Sequence, residues 1–590
     1  SRLDFTLYQS PAYFYLFVWT APFLLVIRLF ACWYFDLFQG MWRFVSLTDL
    51  KDIISAALLG TLLLAIFIFL TIRGEGFPRS ILVIDFAYNI ILLGGIRMAV
   101  RIFRESNTQV RPEESPALKP ILIVGAGAAG EMILREIKAN PRLGYDPVGF
   151  VDDDKNKFKS TIHGVAVLGD TDHLSELVQR YQIAEAIIAI PSAGSRTIRK
   201  IVNSCQTAGV TSKTLPFIGD LIEGKASISQ IRNVAIEDLL GREPVLLDMS
   251  LIGRELAGRV ILITGAAGSI GSELVRQTAR FGPKKILLYD QSENDLFHLE
   301  MALKKDGSAT NFLPIIGDIR DKDRVRQCLE RHRPTYIFHA AAYKHVPLME
   351  VNPVEAVKNN IFGTQILAEL AAEHGLEKFV LISSDKAVRP TNVMGATKRV
   401  AELILQAKSR TGARTQFLAV RFGNVLGSNG SVIPIFQKQI AAGGPVTITH
   451  PDITRYFMTI PEAALLVIQA AAMGQGGEVF LLEMGESMKI RDLAENLIYL
   501  SGLTPGEDIE IVYTGLRPGE KLYEELLVAG EGIKKTPHDK IRVLNGPEVE
   551  GENLTARLRE LEALCHTGNN NEIKQLLKEL VPEYQPYPGR

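Results

Sequence analysis

The segment Val260-Ile-Leu-Ile-Thr-Gly-Ala-Ala-Gly-Ser-Ile-Gly271 carries the strongest structural signal in the chain. It begins with a short buried-strand pattern, continues with glycines spaced GxxGxxG and ends in a helical pattern. The glycines permit a tight turn and let a phosphate approach the N-terminus of the helix. A second strand pattern ends at Asp290, about twenty residues after the last glycine, where a carboxylate accepts the hydroxyls of an adenosine ribose. This order predicts a Rossmann-type unit that binds NAD rather than NADP.

Two later strand ends extend the predicted cofactor site. Gly317-Asp318-Ile319 follows the third strand pattern, and His339-Ala-Ala-Ala342 follows the fourth. The carboxyl ends of parallel strands line the ligand crevice of an open α/β sheet, so we expect contacts with adenine and with the nicotinamide half there. The residues predicted to bind NAD are Gly265, Gly268, Ser269, Ile270, Gly271, Asp290, Asp318, Ile319, Ala340, Ala341, Ala342 and, as argued below, Lys398.

Length and composition bound the rest of the chain. A chain of 590 residues is too long for one hydrophobic core. Its 65 basic and 66 acidic residues nearly balance, which argues against a bulk nucleic-acid binder. The 4 cysteines lie far apart, and we predict no metal site. The predicted segments are transmembrane helices at 1–110, a linker at 111–120, a Rossmann-like domain at 121–240, a linker at 241–258, a catalytic domain at 259–550 and a C-terminal helical element at 551–590.

Three apolar stretches open the chain, at 11–31, 53–72 and 80–100. Each approaches the roughly 20 residues that cross a bilayer core. The second stretch is apolar on all faces, whereas a soluble helix would carry a polar stripe. The pattern therefore predicts three membrane spans, with a buried helical core as the alternative.

Basic residues predict the orientation of these spans. Those expected on the cytoplasmic side are Arg43 and Lys51, before the second stretch, and Arg97, Arg101, Arg104 and Arg111, at or after the end of the third. Arg73 and Arg79 fall on the opposite side and weaken the argument. The first stretch then begins outside, so we expect a further span before Ser1. We assign no function to Arg28, which lies within the first stretch.

Another nucleotide-binding pattern precedes the stretch quoted first. Ile121–Val124 is a strand pattern, Gly125-Ala-Gly-Ala-Ala-Gly130 has the spacing GxGxxG, and Asp152–Asp154 lies some two dozen residues further on. No acid, base or nucleophile is organised behind it. The pattern predicts a compact α/β unit that is either a nucleotide-type or regulatory domain or a structural one that binds nothing.

The chemistry is concentrated after the fifth strand pattern, where the chain reads Ser384-Asp-Lys-Ala-Val-Arg-Pro-Thr-Asn-Val-Met-Gly-Ala-Thr-Lys398. Three further motifs accompany it: Ala342-Tyr-Lys-His-Val-Pro347, Arg421-Phe-Gly-Asn-Val-Leu-Gly427 and Leu516-Arg-Pro-Gly-Glu-Lys521. With these motifs the sequence resembles the extended short-chain dehydrogenase/reductase superfamily. More closely, and over nearly its whole length, it resembles the large membrane-bound UDP-N-acetylglucosamine 4,6-dehydratases of bacterial polysaccharide and protein glycosylation.

The resemblance implies a hydro-lyase that converts a UDP-N-acetylhexosamine into its 4-keto-6-deoxy derivative with bound NAD. It implies Lys386 as the base at C5, Asp385 as the acid at O6, Ser384 as the group that holds the C4 oxygen, and Lys398 at the nicotinamide ribose. A lysine acts as a base near neutral pH only when its pKa is lowered, and a carboxyl as an acid only when its pKa is raised. We therefore expect a closed, partly dry cleft around the pair.

Met394 marks a departure from the wider superfamily. The usual YxxxK pair places a tyrosine one helical turn before the lysine. Here Met394 takes the tyrosine position, and a thioether cannot deprotonate an alcohol. The large dehydratases are similar in carrying methionine there and typically retain the configuration at C5. The substitution therefore favours this subgroup and leaves the base for the C4 hydroxyl unassigned.

The predicted substrate-binding residues are Lys344, Asn424, Arg455, Arg517 and Glu520. By resemblance, the amide of Asn424 faces the pyrophosphate or uridine. The planar guanidinium of arginine suits a diphosphate, which makes Arg455 and Arg517 phosphate candidates. The alternative is ion pairing, because Glu520 lies three residues after Arg517.

The predicted fold is an α-helical transmembrane segment plus two tandem α/β Rossmann-type domains, the second of the extended dehydrogenase type with a small substrate lobe. Expected partners are the UDP-sugar, the lipid bilayer and further copies of the chain, and not nucleic acid. The expected location is the bacterial inner membrane, multi-pass, with cytoplasmic catalytic domains. Two rival functions are a membrane-bound NAD-dependent UDP-sugar 4-epimerase, which needs no acid–base pair at C5 and C6, and a nonenzymatic nucleotide-sugar-binding scaffold, which would tolerate Lys386→Ala.

Overall fold

The computed structural model of the chain describes residues 11–35, 37, 47–72, 80–107, 118–190, 193, 195–214, 231–240, 245–305, 311–526, 532–545 and 551–587. The chain divides into two compact units, Ser1–Ser115 and Pro116–Arg590. Several predictions fall outside the described residues: the orienting positions Arg43, Arg73, Arg79 and Arg111, most of the linker at 111–120 and part of the linker at 241–258.

Within its described residues, the first unit has three helices, α1 (Pro11–Tyr34), α2 (Leu47–Ile72) and α3 (Ser80–Asn107). Within α2, Lys51–Thr71 is long and apolar enough to cross a membrane. The apolar parts of the other two helices are shorter, at Ala21–Tyr34 and Ser80–Ile96. The part of the chain that the structure describes therefore has one helix of spanning length and composition, where the sequence predicts three.

Arg28 has polar partners inside this unit. Its guanidinium donates hydrogen bonds to the Ala57 carbonyl (2.9 Å) and to Thr61 Oγ1 (2.8 Å) on α2, and it pairs with Asp85 on α3. A Cβ at Gly60 would lie 2.6 Å from Arg28 Nη1, so the guanidinium packs directly on this glycine. The ion pair links α1 to α3 and the hydrogen bonds link α1 to α2, because a buried charge needs partners.

The second unit begins with a seven-stranded sheet. Its strands are β1 (Lys119–Val124), β2 (Tyr145–Val151), β3 (Thr161–Ile162), β4 (Val165–Gly169), β5 (Glu185–Ile188), β6 (Thr211–Thr214) and β7 (Arg232–Asn233). Its helices are α4 (Ala128–Ala139), α5 (Leu174–Tyr181), α6 (Ser195–Thr207) and α7 (Ile236–Leu240). The strand order is β3-β4-β2-β1-β5-β6-β7, with a parallel centre from β4 to β6.

The rest of the second unit holds a nine-stranded sheet and two small sheets. Its strands are β8 (Val260–Thr264), β9 (Lys285–Asp290), β10 (Phe312–Ile316), β11 (Tyr336–His339), β12 (Lys378–Ile382), β13 (Gln416–Arg421), β14 (Asn424–Val425), β15 (Val446–Ile448), β16 (Thr454–Met458), β17 (Val479–Leu482), β18 (Ser487–Lys489), β19 (Ile511–Tyr513), β20 (Gly532–Lys535) and β21 (Ile541–Asn545). Its helices are α8 (Met249–Leu256), α9 (Ser269–Ala279), α10 (Glu293–Lys305), α11 (Lys322–His332), α12 (Val346–Val351), α13 (Pro353–Val357), α14 (Gly363–Glu373), α15 (Val393–Arg410), α16 (Val432–Ala441), α17 (Ile460–Met473), α18 (Ile490–Leu500), α19 (Gly551–Thr567) and α20 (Asn570–Leu580).

The nine-stranded sheet has the order β10-β9-β8-β11-β12-β13-β17-β21-β20 and is parallel from β10 to β17. Its central strands are continuous apolar runs because both faces are covered. Strands β8, β9 and β10 run outward along one half of the sheet, and the chain then returns past β8 to build the other half from β11. The strand order therefore reverses between β8 and β11. This is the doubly wound Rossmann order, in which ligands bind outside the carboxyl ends of the strands at that point of reversal. The predicted Rossmann-type fold is confirmed here.

Two further groups of elements flank the carboxyl edge of this sheet. The small sheets β14-β16-β18 and β15-β19, with α16 and α18, form a lobe beside it. The C-terminal helices α19 and α20 pack on α15 through a buried apolar cluster that includes Met394, Leu558, Ile573 and Leu577. The charged C-terminal pattern is thus a packing element behind α15.

Candidate active site

A cavity of about 840 Å³ lies between the carboxyl edge of the large sheet and the small lobe. Its walls include most of the residues predicted from the sequence. These are Gly265, Gly268, Ser269, Ile270, Gly271, Ala340, Ala342, Lys344, Ser384, Lys386, Met394, Lys398, Asn424, Arg455, Arg517 and Glu520. The fold therefore brings together in one cavity residues that are up to 255 positions apart in the sequence.

The glycine-rich turn after β8 is shaped for a closely approaching ligand. Gly265 has φ of 65°, and a Cβ there would lie 2.6 Å from the backbone nitrogen of Ala341. A Cβ at Gly271 would lie 1.9 Å from the Gly265 carbonyl oxygen. Gly268 caps the N-terminus of α9, whose backbone N–H groups face the cavity end. These features fit a dinucleotide pyrophosphate at the start of α9.

The two carboxylates predicted to contact NAD are engaged by the protein. Asp290 accepts hydrogen bonds from the Ala267 N–H (2.9 Å) and the Ser292 N–H (3.0 Å), so its carboxylate braces the glycine-rich turn. Asp318 is held by the guanidinium of Arg320 (2.7 Å). Burial would raise the pKa of Asp318, but the hydrogen bonds and charge of Arg320 outweigh burial and lower it. Neither carboxylate lines the cavity.

Two other predicted cofactor residues lie behind the cavity wall. Ile319 is buried and packs against Gly363, and Ala341 is the backbone neighbour of Gly265. His339, at the end of β11, is buried between the hydroxyls of Thr264 (2.8 Å) and Thr364 (2.9 Å). Burial, with the charge of Lys398, lowers the pKa of His339 to about 3, so the ring is neutral at physiological pH.

The loop after β12 forms the reactive centre. Lys386 Nζ donates hydrogen bonds to Asp385 Oδ1 (3.0 Å) and to Asn424 Oδ1 (3.1 Å). Ser384 Oγ donates to the same oxygen of Asp385 (3.0 Å) and accepts from the Lys386 N–H (3.3 Å). Lys386 and Ser384 line the cavity, whereas the side chain of Asp385 is 0% exposed and does not.

The protonation of Lys386 differs from the expectation. Burial would lower the pKa of Lys386, but the negative charges of Asp385 and then Glu524 outweigh burial and raise it. The expectation that the cleft lowers the pKa of this lysine is therefore wrong for the protein without substrate. The ammonium form is stabilised because two carboxylates face one lysine.

Helix α15 presents Met394 and Lys398 to the cavity one turn apart. The amide oxygen of Asn392 caps the helix by accepting from the Gly395 N–H (2.8 Å). Lys398 is 6% exposed and makes no hydrogen bond or ion pair with any described residue. Burial lowers the pKa of Lys398 to about 8. A lowered pKa was expected at Lys386. The structure instead lowers the pKa of Lys398 and raises that of Lys386.

The predicted phosphate ligands are less available than expected. Arg455 is buried and donates to the carbonyls of Thr454 (2.7 Å) and Lys521 (2.8 Å). Arg517 pairs with Glu520 (3.1 Å), which is the alternative that its spacing left open. The side-chain oxygen of Asn424 accepts the hydrogen bond from Lys386 described above, whereas its amide was predicted to face the pyrophosphate or uridine. Lys344 makes no polar contact with a described residue, and burial lowers its pKa.

One residue of this site was missed by the sequence analysis. Glu524 lines the cavity three positions beyond the motif that ends at Lys521. Its Oε1 lies 3.6 Å from Lys386 Nζ and 3.7 Å from Arg455 Nε. Its position just after the motif Leu516–Lys521 was the one hint in the sequence. No local pattern indicates that the fold places this glutamate next to Lys386.

Fold and site together define a Rossmann-type protein of the short-chain dehydrogenase class. Residues 261–546 match the family described as "Polysaccharide biosynthesis protein", and residues 34–216 match one described as "CoA-binding domain". The chain is 45% identical over 528 residues to "Capsular polysaccharide biosynthesis protein CapD" of Staphylococcus aureus, covering 89% of this chain and 87% of that protein. The chain therefore belongs to the polysaccharide biosynthesis protein family.

Two other relatives cover parts of the chain. "Uncharacterized membrane protein MJ1061" of Methanocaldococcus jannaschii is 46% identical over 55% of this chain and 96% of that protein. "UDP-N-acetylglucosamine 4,6-dehydratase (inverting)" of Campylobacter jejuni is 35% identical over 46% of this chain and 78% of that protein. Nucleotide-sugar dehydratases are thus among its relatives.

Proposed function

We propose that this protein is an NAD-dependent 4,6-dehydratase of a UDP-N-acetylhexosamine, with UDP-N-acetylglucosamine as its substrate and a UDP-4-keto-6-deoxy sugar as its product. The observation that carries the proposal is the 3.0 Å contact between Lys386 Nζ and Asp385 Oδ1 on the loop at the cavity. A base and an acid at adjacent atoms of a sugar are what the elimination of water across C5 and C6 requires.

The glycine-rich turn supports the cofactor assignment. Positions 265 and 271 have no room for a Cβ because the turn packs there on the backbone of Ala341 and on its own first carbonyl. This packing sets the start of α9 at the cavity, where a pyrophosphate would bind. Gly265, Gly268 and Gly271 would hold the pyrophosphate, and Lys398 would reach the nicotinamide ribose. When bound, NAD supplies the hydride acceptor for oxidation at C4 and the hydride donor for reduction at C6.

The Asp385–Lys386 pair can run the elimination without a net proton from solvent. Transfer of one proton across the 3.0 Å contact converts the ammonium–carboxylate pair into a neutral amine and a carboxylic acid. The Lys386 amine then takes the proton from C5, which a neighbouring C4 ketone has made acidic. Asp385 gives its proton to O6, the C6–O6 bond breaks and water leaves. The pair ends as an ammonium and a carboxylate, which is its resting state.

Burial favours this exchange because Asp385 is fully enclosed. Its Oδ2 has no hydrogen-bond partner among the described residues, so in this enclosed position the charge of the carboxylate is balanced mainly by the Lys386 ammonium at 3.0 Å from Oδ1. In a site closed by substrate, the neutral form of the pair becomes accessible. Ser384 holds the oxygen at C4. Retention of configuration at C5 is what the resemblance to the large dehydratases with methionine at position 394 implies.

The membrane assignment completes the proposal. We infer that α1 to α3 anchor the protein in the bacterial inner membrane as a multi-pass segment, with two tandem Rossmann-type domains in the cytoplasm and with homo-oligomeric assembly. The apolar stretch Lys51–Thr71 and the membrane-protein relative support anchoring. The cytoplasm is also where NAD and nucleotide sugars are available.

The first test is turnover of purified protein with UDP-N-acetylglucosamine and no added NAD, followed by liquid chromatography and mass spectrometry. The proposal expects a product that has lost one water, and no such product from Lys386→Met. A product of unchanged mass but altered C4 configuration would assign the epimerase instead. Tight binding of the nucleotide sugar without turnover, equal in Lys386→Met, would assign the scaffold.

A further inference from the structure

Glu524 lies at the reactive centre without a role in the dehydration as described so far. Its side chain is 4% exposed and forms part of the cavity wall next to Lys386. The second oxygen, Oε2, is buried and has no hydrogen-bond partner among the described residues. The charge of this buried carboxylate is therefore balanced through Oε1 alone, by Lys386 at 3.6 Å and Arg455 at 3.7 Å.

The segment that carries Glu524, residues 516–526, is fixed onto the reactive loop. The Gly519 carbonyl accepts hydrogen bonds from Thr391 Oγ1 (3.0 Å) and Asn392 Nδ2 (3.1 Å). Lys521 Nζ donates to the Val388 carbonyl (3.0 Å). Three contacts therefore tie this segment to the connection between β12 and α15, and they hold Glu524 close to Lys386.

Four groups from four elements face Lys386 Nζ. Asp385 lies on the same loop at 3.0 Å, Asn424 on β14 at 3.1 Å and Glu524 on the 516–526 segment at 3.6 Å. Arg455, on β16, is a cation whose charge opposes theirs. An ammonium has three donors, and Asp385 and Asn424 take two of them. Glu524 is the remaining anionic group beside the third N–H donor of Lys386.

We propose that Glu524 is a positioning residue of this site: its carboxylate holds the Lys386 amine over the cavity and controls how readily that amine gives up its proton. The proposal rests on the proposed dehydratase for its catalytic meaning. Glu524 acts as the second negative charge beside Lys386, and Arg455 partly offsets it. Asp385 can exchange a proton with Lys386, whereas Glu524 sets the electrostatic background for that exchange.

The direction of the effect follows from the charges. Removing the Glu524 carboxylate leaves Lys386 with one anion instead of two and lowers the pKa of Lys386. The elimination uses the Asp385–Lys386 pair with one proton shared between its two groups, so activity rises with pH as the doubly protonated pair loses a proton. A nearby anion such as Glu524 moves that step to higher pH. The acidic limb of the kcat/KM profile should therefore move to lower pH in Glu524→Gln, by about one pH unit for an opposite charge at this range.

The first experiment measures this profile for the full-length protein, with Glu525→Gln as the matched control. Glu525 is the neighbouring carboxylate, but it is 42% exposed and pairs with Arg389 (3.2 Å) and Lys521 (3.5 Å). The proposal expects the limb to move in Glu524→Gln and to stay in place in Glu525→Gln. A loss of activity in Glu524→Gln with the limb unmoved would overturn it and leave Glu524 a structural partner of Arg455.

A second experiment needs no turnover. The amine of Lys386 is labelled with acetic anhydride across a pH series in the substrate-free protein, and peptide mass spectrometry gives the midpoint of reactivity. A lower midpoint in Glu524→Gln supports the proposal, and an unchanged midpoint overturns it. If wild type shows no dehydration but the labelling midpoint shifts, the proposed function fails while the role of Glu524 at Lys386 stands. If Glu524→Gln does not fold, Glu524→Asp must show a smaller downward shift, and an unchanged midpoint there overturns the proposal.

Discussion

Replacing Glu402 by glutamine should destabilise the catalytic unit more than any single exposed charge does. Glu402, on α15, is fully buried and accepts hydrogen bonds from Arg421 (2.7 Å and 2.8 Å), Arg399 (3.0 Å) and Ser383 (2.6 Å). Arg421 is on β13, and Ser383 directly precedes the reactive loop. Glutamine cannot satisfy two guanidinium groups, so the change leaves buried cations without a full counter-charge.

The magnitude follows from the pKa of Glu402. Burial would raise the pKa, but Arg421, Arg399 and Ser383 outweigh burial and lower it from 4.5 to about 2. At about 1.4 kcal/mol per pKa unit, this shift corresponds to about 3 kcal/mol of folding free energy. That value agrees with the roughly 3–5 kcal/mol lost when one partner of a buried pair is removed.

The pH dependence has a definite sign. A carboxylate with a depressed pKa contributes its full stability above the unfolded-state value and loses it as pH falls toward the folded-state value. The contribution of Glu402 should therefore be complete above about pH 5 and decline from there toward pH 2.

Urea unfolding followed by circular dichroism measures the effect. Tryptophan fluorescence does not suit, because the 3 tryptophans all lie within the first 42 residues. Glu560→Gln is the matched control, since Glu560 is 53% exposed and pairs with Arg557 on the same helix; its loss should stay below about 1 kcal/mol. A loss below about 1 kcal/mol for Glu402→Gln at pH 7, equal to the control, would refute the argument.

Three other predictions test separate parts of the account. Gly271→Ala should abolish co-purification of NAD, because its Cβ would lie 1.9 Å from the Gly265 carbonyl oxygen. The control Gly253→Ala, whose Cβ would have nothing within 4 Å, should leave the NAD content unchanged. Equal NAD content in both variants would contradict NAD binding at the glycine-rich turn after β8. Lys398→Met should raise the urea midpoint of the substrate-free protein at pH 7 and abolish turnover. Burial lowers the pKa of Lys398 from 10.5 to about 8, so folding at pH 7 carries a cost of about 3 kcal/mol, and an unchanged or lower midpoint would contradict this cost. Deleting residues 1–115 should move the protein from the membrane fraction to the soluble fraction on ultracentrifugation, and persistence in the membrane fraction would place the anchor elsewhere.

The fold of the large sheet could be predicted because its signals are local. The glycine spacing after β8 is imposed by backbone contact, and each later strand ends in a short motif that reaches the same edge. The parallel order then follows from right-handed crossovers. The first apolar helices were also predicted, although their lengths in the described residues support one spanning helix rather than three.

The electrostatics of the site could not be predicted, because they depend on residues far apart in the sequence. Lys386 and Glu524 are separated by 138 positions, and no periodicity links them. The raised pKa of Lys386 comes first from the adjacent Asp385 and second from Glu524, so the sequence offers a signal for the first contribution and none for the second. The pair Arg517–Glu520 shows the opposite case: its three-residue spacing is local, and the ion pair was foreseen as an alternative.

The measurement that tests the central claim most directly is proton nuclear magnetic resonance of UDP-N-acetylglucosamine turnover in D₂O by the full-length protein. If Lys386 removes the C5 proton and water leaves from C6, the 4-keto-6-deoxy product must carry deuterium at C5, with coupling constants that report retained configuration. Lys386→Met should give neither product nor exchange. A dehydrated product that keeps its original proton at C5, or full exchange in Lys386→Met, would contradict the account.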